Sequence, residues 1–282
     1  MRRTLIAVVA AALLAGASPA SARPLPCGYD ATVLADSPVA YWRMSGAVAP
    51  SEQDASGHGR TGTYTGGRSV AFLPNGDRAT DFDGATGYLQ VPDSDALSPA
   101  TTGAFTLEAW MRPDILEFPH AESSGYVHWM GKGAPGQHEY VSRMYSKTNT
   151  ENRPNRISGY AFNSDGGLGA GSYFQDPVAE GQWIHYALVI NPAAVSAEYP
   201  HGYVKIYRDG VLRDQDQLVI RDIVITPEGG TAPFRVGTRD FGSWFAGAIG
   251  KVAVYDRELP VERISAHTAA MTTTFPHRGF PR

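Results

Sequence analysis

The sequence predicts an all-β fold, an antiparallel β-sandwich, on three observations. Residues 105–111 alternate an apolar set with other side chains, which places the apolar set on one face of a strand. Asp209-Gly210 lies between two strand-like runs and suits the positive φ angles of a tight hairpin. Glycine-rich breaks recur between the apolar runs along the whole chain. Many short strands with regular turns are typical of a sandwich or barrel.

The remaining elements follow the same pattern. Residues 183–190 form a mostly apolar run that predicts a buried central strand, and residues 249–255 predict a strand near the end. Only residues 260–270 look helical, with Pro260 suited to a first turn and Glu262 near the positive end of the helix dipole.

The chain shows no fixed-period repeat and no Pro/Ser-rich linker, which favours a single folded domain. The predicted organisation has four parts. They are a signal peptide (1–22), an N-terminal segment (23–30), a β-sandwich domain (31–270) and a polar C-terminal tail (271–282).

The N-terminus has the three-part pattern of an export signal. Arg2 and Arg3 precede an apolar run at residues 5–14, and Ala20-Ser21-Ala22 matches the small-residue pattern at which signal peptidase cuts. The run is shorter than the roughly 20 apolar residues of a transmembrane helix. We therefore expect a cleaved signal peptide and a secreted, extracellular protein; an N-terminal core helix or membrane anchor is the alternative.

The net charge and the cysteine content limit the classes of partner and of covalent cross-link that we expect. The formal net charge is −4, whereas nucleic acids and anionic membranes reward clustered Lys and Arg, so we expect neither as the main partner. No later segment approaches a transmembrane helix in length and apolarity. The single cysteine, Cys27, excludes an internal disulfide and is expected to be an unpaired or intermolecular thiol, with lipid attachment as the alternative.

Seven segments, taken in order, carry a resemblance to a known family. They are residues 39–44, 54–64, 82–92, 105–110, 183–185, 204–210 and 247–259. Their order and spacing resemble the laminin G-like domain of the concanavalin A-like lectin/glucanase superfamily, in its bacterial secreted form. The resemblance covers roughly residues 31–268. It implies a jelly roll of two antiparallel sheets, one of them curved, and recognition of glycans or proteins outside the cell.

Glycoside hydrolysis usually needs two carboxylates facing each other across the scissile bond. Superfamily glucanases present theirs from one strand, as Glu-x-Asp-x-x-Glu or a close variant, and the sequence has no such cluster. Glu108 is the best lone candidate, but its neighbours at matching spacing are not acidic, which favours a solvated or hydrogen-bonded strand glutamate.

A polysaccharide lyase needs a cation to neutralise a uronate and a Tyr or His to abstract its proton. The region around residues 138–156 supplies these residue types at a spacing that matches no lyase pattern. The histidines form no H-E-x-x-H motif and no Cys/His cluster, which argues against zinc. We assign no catalytic residue and keep a cryptic lyase or hydrolase as a third hypothesis.

A structural calcium site is implied by the resemblance alone. In the family, oxygens of an Asp-x-Ser-Gly segment and an Asp on the last strand hold the ion, and Asp54 matches the first position. The last strand usually reads Ile-Asp-Glu-Val, but here Gly250 and Lys251 replace the two carboxylates. Because calcium requires six to eight oxygen ligands, these replacements predict a weakened or absent site.

Residues 126–175 carry the densest mixture of aromatic, arginine and asparagine side chains. Aromatic rings stack on sugar faces while planar polar groups fix the hydroxyls, and a few polar groups among aromatics are typical of a ligand pocket. A second, shorter candidate segment covers residues 239–244. The alternative is that alternate aromatics are sandwich core and the loop at 147–156 is merely solvated. The residues that we predict to bind ligand are Arg143, Tyr145, Arg156, Tyr173 and Trp244.

The sequence therefore predicts a secreted, non-catalytic recognition module that binds extracellular carbohydrate. A protein-binding or structural extracellular domain is the alternative.

Overall fold

The computed structural model describes residues 28–174 and 176–272. The predicted signal peptide, Cys27 and the tail beyond residue 272 lie outside the described residues.

The described chain is dominated by strands, as the alternating patterns predict. The strands of the N-terminal half are β1 (Ala40–Trp42), β2 (Ser51–Glu52), β3 (Gly62–Thr65), β4 (Arg68–Phe72), β5 (Arg78–Asp83), β6 (Tyr88–Val91), β7 (Phe105–Pro113), β8 (Tyr126–Lys132) and β9 (Tyr140–Tyr145). Those that follow are β10 (Ile157–Ala161), β11 (Ala170–Tyr173), β12 (Ile184–Asn191), β13 (Tyr203–Arg208), β14 (Val211–Gln217), β15 (Val219–Ile220), β16 (Ile223–Val224), β17 (Phe234–Val236) and β18 (Ala246–Tyr255).

Three α-helices accompany them. They are α1 (Tyr29–Leu34), α2 (Pro99–Thr102) and α3 (Val261–Thr272), and a short 3-10 helix (Asp95–Leu97) precedes α2. The helix predicted at 260–270 corresponds to α3, whereas α1 was not predicted.

Two large antiparallel sheets form the sandwich. The first has the order β14-β13-β12-β7-β18-β5-β4, and β1 also pairs with β18. The second has the order β11-β10-β9-β8-β17-β6-β3-β2, and β15 and β16 form a separate hairpin. The predicted antiparallel β-sandwich is confirmed.

The predicted hairpin at Asp209-Gly210 joins β13 to β14. Both residues have positive φ, 52° and 80°, as a tight primed turn requires. Gly210 also packs against α3, since a Cβ there would lie 2.9 Å from the Ser265 Cα. Glycine is therefore required both by the backbone angle and by the close approach of the helix.

The main core lies between the sheets. The apolar set predicted on β7, from Phe105 to Met111, is completely buried in it, together with Trp129 of β8 and Ile249 of β18. Because side chains alternate along a strand, the intervening residues of each inner strand project from the opposite, outer face of their sheet.

The outer face of the first sheet is covered by helices. Tyr29 and Val33 of α1 and Ile264 and Met271 of α3 form a second apolar cluster with Trp110 of β7. No helix of the described residues contributes to a comparable cluster on the outer face of the second sheet, where only Val141, Tyr160 and Phe162 group together. Within the described residues, the outer face of the second sheet therefore lacks the helical cover that the first sheet has.

Candidate functional site

The strand register aligns several polar and aromatic side chains on the outer face of the second sheet. Across β8, β9, β10 and β11, His128 pairs with Arg143, Arg143 with Ser158, and Ser158 with Tyr173. In the adjacent row Tyr126 pairs with Tyr145. Directly opposed residues share a face, so these side chains form one surface.

Tyr126, Arg143, Tyr145 and Tyr173 of this surface form the floor of an open pocket of about 480 Å³. Segments from four separate parts of the chain form its walls. The pocket is lined by Ser123, Ser124, Tyr126, Arg143, Tyr145, Glu151, Arg153, Tyr160, Phe162, Gly167, Leu168, Gly169, Gly171, Tyr173, Asp216, Val219, Ile220 and Arg221.

Arg143 lies between two tyrosine rings. Its guanidinium carbon is 3.8 Å from the Tyr126 ring centroid and 4.4 Å from that of Tyr160. Both distances are typical of cation–π contact. Its Nε donates to His128 Nε2 at 3.1 Å, and its Nη1 donates to the Tyr145 hydroxyl at 3.3 Å. These contacts hold the guanidinium plane in one orientation at the pocket floor.

The Tyr145 hydroxyl is the centre of a hydrogen-bond network. It donates to Glu151 Oε2 at 3.2 Å and accepts from Arg153 Nη1 at 3.1 Å, and the Tyr160 hydroxyl lies 3.0 Å away. Burial and the neighbouring Tyr160 raise the pKa of Tyr145, although Arg143 opposes this effect. Tyr145 is therefore a neutral phenol near neutral pH, suited to hydrogen bonding rather than to proton abstraction.

Arg153 connects this network to the pocket wall. Its guanidinium carbon lies 4.6 Å from the Tyr173 ring centroid, and its Nη1 donates to the Tyr160 hydroxyl at 3.1 Å. Glu151 Oε2 is 3.5 Å from the same Nη1. The Arg153 side chain keeps 30 % of its surface exposed, so part of the guanidinium remains free to meet a ligand.

A second polar cluster adjoins the pocket and has the composition of a metal site. Ligand atoms of Glu122, His128 and Asp240 lie within 4.8 Å of one another. Nδ1 of buried His128 is 2.7 Å from Glu122 Oε1, although the two groups are not aligned as a hydrogen bond. Arg239 already forms an ion pair with Asp240.

The protonation of His128 argues against a metal at this cluster. Arg143 Nε–H donates to Nε2, so Nε2 carries the lone pair and the ring proton sits on Nδ1. Burial, together with the charges of Arg239 and Arg143, lowers the pKa of His128 and keeps the ring neutral. A metal at Nδ1 would require the proton to move to Nε2, directly against the Arg143 N–H.

Three of the predicted ligand-binding residues meet in the pocket, namely Arg143, Tyr145 and Tyr173. Arg156 does not line it; its backbone carbonyl accepts a hydrogen bond from the Tyr145 N–H at 2.9 Å. Trp244 lies elsewhere on the outer face and contacts Tyr88 and Phe241, with ring centroids 6.0 and 5.7 Å away.

Other pocket residues were not predicted as ligand-binding. Glu151 accepts a hydrogen bond from the Tyr145 hydroxyl. Leu168, Ile220 and Arg221 belong to segments that follow β9 at a distance in sequence. Arg153 lies within the candidate patch at 126–175 but was not among the residues predicted to bind ligand. The one local signal was the abundance of glycine at 166–171, which marks a turn without indicating what it approaches.

Asp54, the predicted calcium ligand, is saturated by internal donors. Its carboxylate accepts hydrogen bonds from the N–H groups of Tyr41, Ser56 and Arg60 at 3.0, 2.9 and 3.0 Å, and from the Ser56 hydroxyl at 2.5 Å. Within residues 28–174 and 176–272, no cluster of three His, Cys, Asp or Glu ligands includes Asp54. Lys251 instead pairs with Asp30 at 2.6 Å. The calcium site stays a prediction.

Glu108, the lone acidic candidate for catalysis, lies on the first sheet. Its side chain is completely buried under α3 and bonded to Tyr255 at 2.8 Å. No polysaccharide reaches a carboxylate in this position.

The comparisons with known proteins agree with this architecture. The family described as the concanavalin A-like lectin/glucanases superfamily, with a laminin G-like model, matches residues 83–265. A search of curated proteins found no match.

Solved structures give the same fold at low identity. The binding domain of botulinum neurotoxin DC, solved in complex with SialylT, is 11% identical with a TM-score of 0.59, and the match covers 84% of this chain and 52% of that one. The same neurotoxin domain in complex with rat synaptotagmin II is 12% identical with a TM-score of 0.62, over 84% and 52% of the two chains. This chain thus spans about half the length of those binding domains.

A third structure is matched almost over its full length. Domain 4 of AbnA, a GH43 extracellular arabinanase from Geobacillus stearothermophilus in complex with arabinotriose, is 18% identical with a TM-score of 0.53, and the match covers 82% of this chain and 98% of that domain.

Within the described residues, no helix is long and apolar enough to cross a membrane. The family match extends over more than half of the sequence and coincides with the observed sandwich. This chain therefore belongs to the concanavalin A-like lectin/glucanases superfamily.

Proposed function

We propose that this chain is a secreted, non-catalytic module that binds extracellular carbohydrate in the pocket on the outer face of the second sheet. The observation that carries the proposal is the combination of tyrosine rings and guanidinium groups in an open pocket of about 480 Å³. Ligand sites commonly have volumes of about 300–1,000 Å³ and place a few oriented polar groups among aromatic surfaces.

The arrangement of the pocket supports binding of a saccharide. Tyr126 and Tyr173 belong to the pocket floor and offer ring surface to the C–H face of a sugar, while Arg143 and Arg153 offer donors to its oxygens. The polar groups are fixed by mutual hydrogen bonds around Tyr145, so they lose little conformational freedom when a ligand binds.

The structural neighbours supply independent support. Domain 4 of the arabinanase was solved with arabinotriose, and the neurotoxin binding domain with SialylT. At these identities the likeness concerns the fold, so the ligand of this chain rests on its own pocket.

Two features support a non-catalytic role. Tyr145 is the best-placed candidate base for a β-elimination, and its raised pKa keeps it protonated. The acidic residues of the pocket, Glu151 and Asp216, come from the 151–153 loop and from β14, whereas superfamily glucanases present their carboxylates from one strand.

The test measures binding of the purified mature chain (residues 23–282) to a broad polysaccharide panel by affinity electrophoresis and calorimetry. Tyr173→Ala is expected to weaken binding about tenfold, or about 1.4 kcal/mol, because the sugar loses one stacking ring and Arg153 loses the ring that it packs against. Tyr199→Ala, on a loop before β13 of the other sheet, is the matched control and should bind normally.

Absence of binding across the whole panel would overturn the proposal. Unchanged binding by folded Tyr173→Ala would place the glycan site elsewhere.

A separate aromatic cluster favours protein binding as a second candidate function. Tyr88, Phe241 and Trp244 contact one another on the same outer face, and Phe241 is 44 % exposed. Exposed aromatic groups are enriched at protein interfaces. If Trp244→Ala leaves glycan binding unchanged but abolishes capture of a protein partner, the cluster is a distinct docking surface.

A further inference from the structure

The pocket contains cations that the protein itself does not neutralise. Arg143, Arg153 and Arg221 line it, against the carboxylates of Glu151 and Asp216. The pocket therefore has an excess of positive charge in a chain whose formal net charge is −4. Such a local reversal of sign concentrates anions near the pocket.

The surroundings of Arg143 point most directly to an anionic ligand. Within the two described stretches, no carboxylate lies within 4.0 Å of its guanidinium; its partners are two tyrosine rings, the Tyr145 hydroxyl and neutral His128. A charge partly removed from water is costly unless it is paired. An anionic ligand would therefore supply the negative partner that Arg143 lacks at the pocket floor.

Arg153 supplies the geometry for that anion. Its Nη1 is occupied by Tyr145 and Tyr160, while its Nε and Nη2 donate to no residue of the described chain. Nε and Nη2 form the edge of a guanidinium that matches the two oxygens of a carboxylate. Glu151 comes closest to Arg153 at Nη1, at 3.5 Å, and accepts no hydrogen bond from Nε or Nη2.

We infer that the pocket binds an acidic saccharide through its carboxylate, with the Arg153 edge holding the carboxylate and Arg143 supplying the second positive charge. The ligand class is a uronate-type glycan. The inference rests on the proposed carbohydrate-binding function and narrows it. Tyr126 and Tyr173 then contact the sugar ring to which the carboxylate is attached.

The test uses pairs of oligosaccharides that differ only in charge. Oligogalacturonates of one length are compared with their fully methyl-esterified forms, and alginate and glucuronate oligomers with their carboxyl-reduced forms. We expect the mature chain to bind the acid member of at least one pair ten or more times more tightly. We also expect this affinity to fall as NaCl is raised, because salt screens the charge contribution.

Substitutions of Arg153 test whether this residue causes the preference for the acid form. Arg153→Gln should reduce binding of the acid form at least tenfold while changing binding of the neutral form little, so that the ratio between the two collapses. Arg153→Lys should recover only part of the ratio, because an ammonium lacks the planar edge. Arg78→Gln, an exposed arginine of β5 on the other sheet, controls for the loss of one positive charge.

The possible results distinguish failure of the carboxylate assignment from failure of carbohydrate binding. Equal binding of the acid and neutral members, or binding only of sulfated glycans, overturns the carboxylate assignment and leaves carbohydrate binding intact. An acid preference that persists in folded Arg153→Gln also overturns the assignment. Failure to bind any member of any pair or of the wider panel overturns carbohydrate binding itself.

Discussion

Replacing Glu108 by Gln tests how the fold holds its C-terminal helix. Glu108 is completely buried, and its Oε1 accepts from the Tyr255 hydroxyl at 2.8 Å and lies 2.9 Å from His267 Nδ1 of α3. His185 Nε2 is 3.3 Å from the other oxygen. The second ring nitrogen of His267 contacts Asp36 at 2.8 Å, so the imidazolium lies between two carboxylates.

These contacts determine the loss of unfolding free energy that we expect for Glu108→Gln. Removing one partner of a buried ion pair typically destabilises a protein by about 3–5 kcal/mol. Gln keeps the volume and an oxygen for Tyr255, and His267 keeps Asp36, so we expect about 3 kcal/mol. Domains of this kind have total stabilities of roughly 5–15 kcal/mol, so the loss is readily measured.

The assay is urea unfolding at pH 6, followed by circular dichroism and tryptophan fluorescence. Glu262→Gln, on the exposed first turn of α3, is the matched control and should change stability by no more than about 0.5 kcal/mol. A loss below about 1 kcal/mol for Glu108→Gln, with an unchanged m-value, would refute the view that this ion pair secures the helix.

The same network predicts a pH optimum. Burial would raise the pKa of Glu108, but His267 and His185 lower it, so its contribution is lost as pH falls below the ordinary glutamate value of about 4.3. Burial would lower the pKa of His267, but Glu108 and Asp36 raise it, so its contribution is complete below about pH 6.5 and is lost as pH rises through the raised value. Stability should therefore peak between these limits, and His267→Gln should abolish the alkaline decline.

Three further predictions concern the fold. Lys251→Met should lower stability by about 2 kcal/mol in thermal unfolding, because the buried ammonium lies 2.6 Å from Asp30 and 2.7 Å from Asp77, both of which remain partly exposed. Gly210→Ala should cost more than about 1 kcal/mol in urea unfolding, since φ is 80° and the added Cβ meets α3. A chelator should leave the melting temperature unchanged, because the Asp54 oxygens already accept internal hydrogen bonds; a fall that calcium restores would contradict this.

The sequence predicted those features that depend on neighbouring residues. Alternation along 105–111 assigned Phe105 and Met111 to the core, and Asp209-Gly210 placed the hairpin, because both are set by strand and turn geometry within one segment. The other face of β7 was predicted less well. Glu108 was interpreted as a solvated or hydrogen-bonded strand residue, and its burial is imposed by α3, which begins more than 150 positions later.

The residues of the candidate site also fall into those placed by local alternation and those placed by distant segments of the chain. Arg143 and Tyr145 are two positions apart on β9, so local alternation suffices to place them on one face. Tyr173 joins them only through the register of β9, β10 and β11, and Arg221 only through the position of a distant loop. Trp244 was predicted as a ligand-binding residue from the second candidate segment at 239–244, and the structure places it beside Tyr88, outside the pocket.

The two sheets differ in how their outer faces are covered, and this difference leaves the pocket open. The first sheet covers its outer face with α1 and α3, and fills the interface with apolar side chains and the Glu108–His267 pair. Within the described residues, the second sheet buries its inner face in the shared core and has one small apolar cluster on its outer face, so much of that outer face can be polar. That freedom permits Arg143 to remain without a carboxylate partner. A substitution that gave it one, Ser158→Asp directly opposite on β10, should abolish binding of an acidic saccharide in calorimetry, because the new carboxylate would pair with the guanidinium.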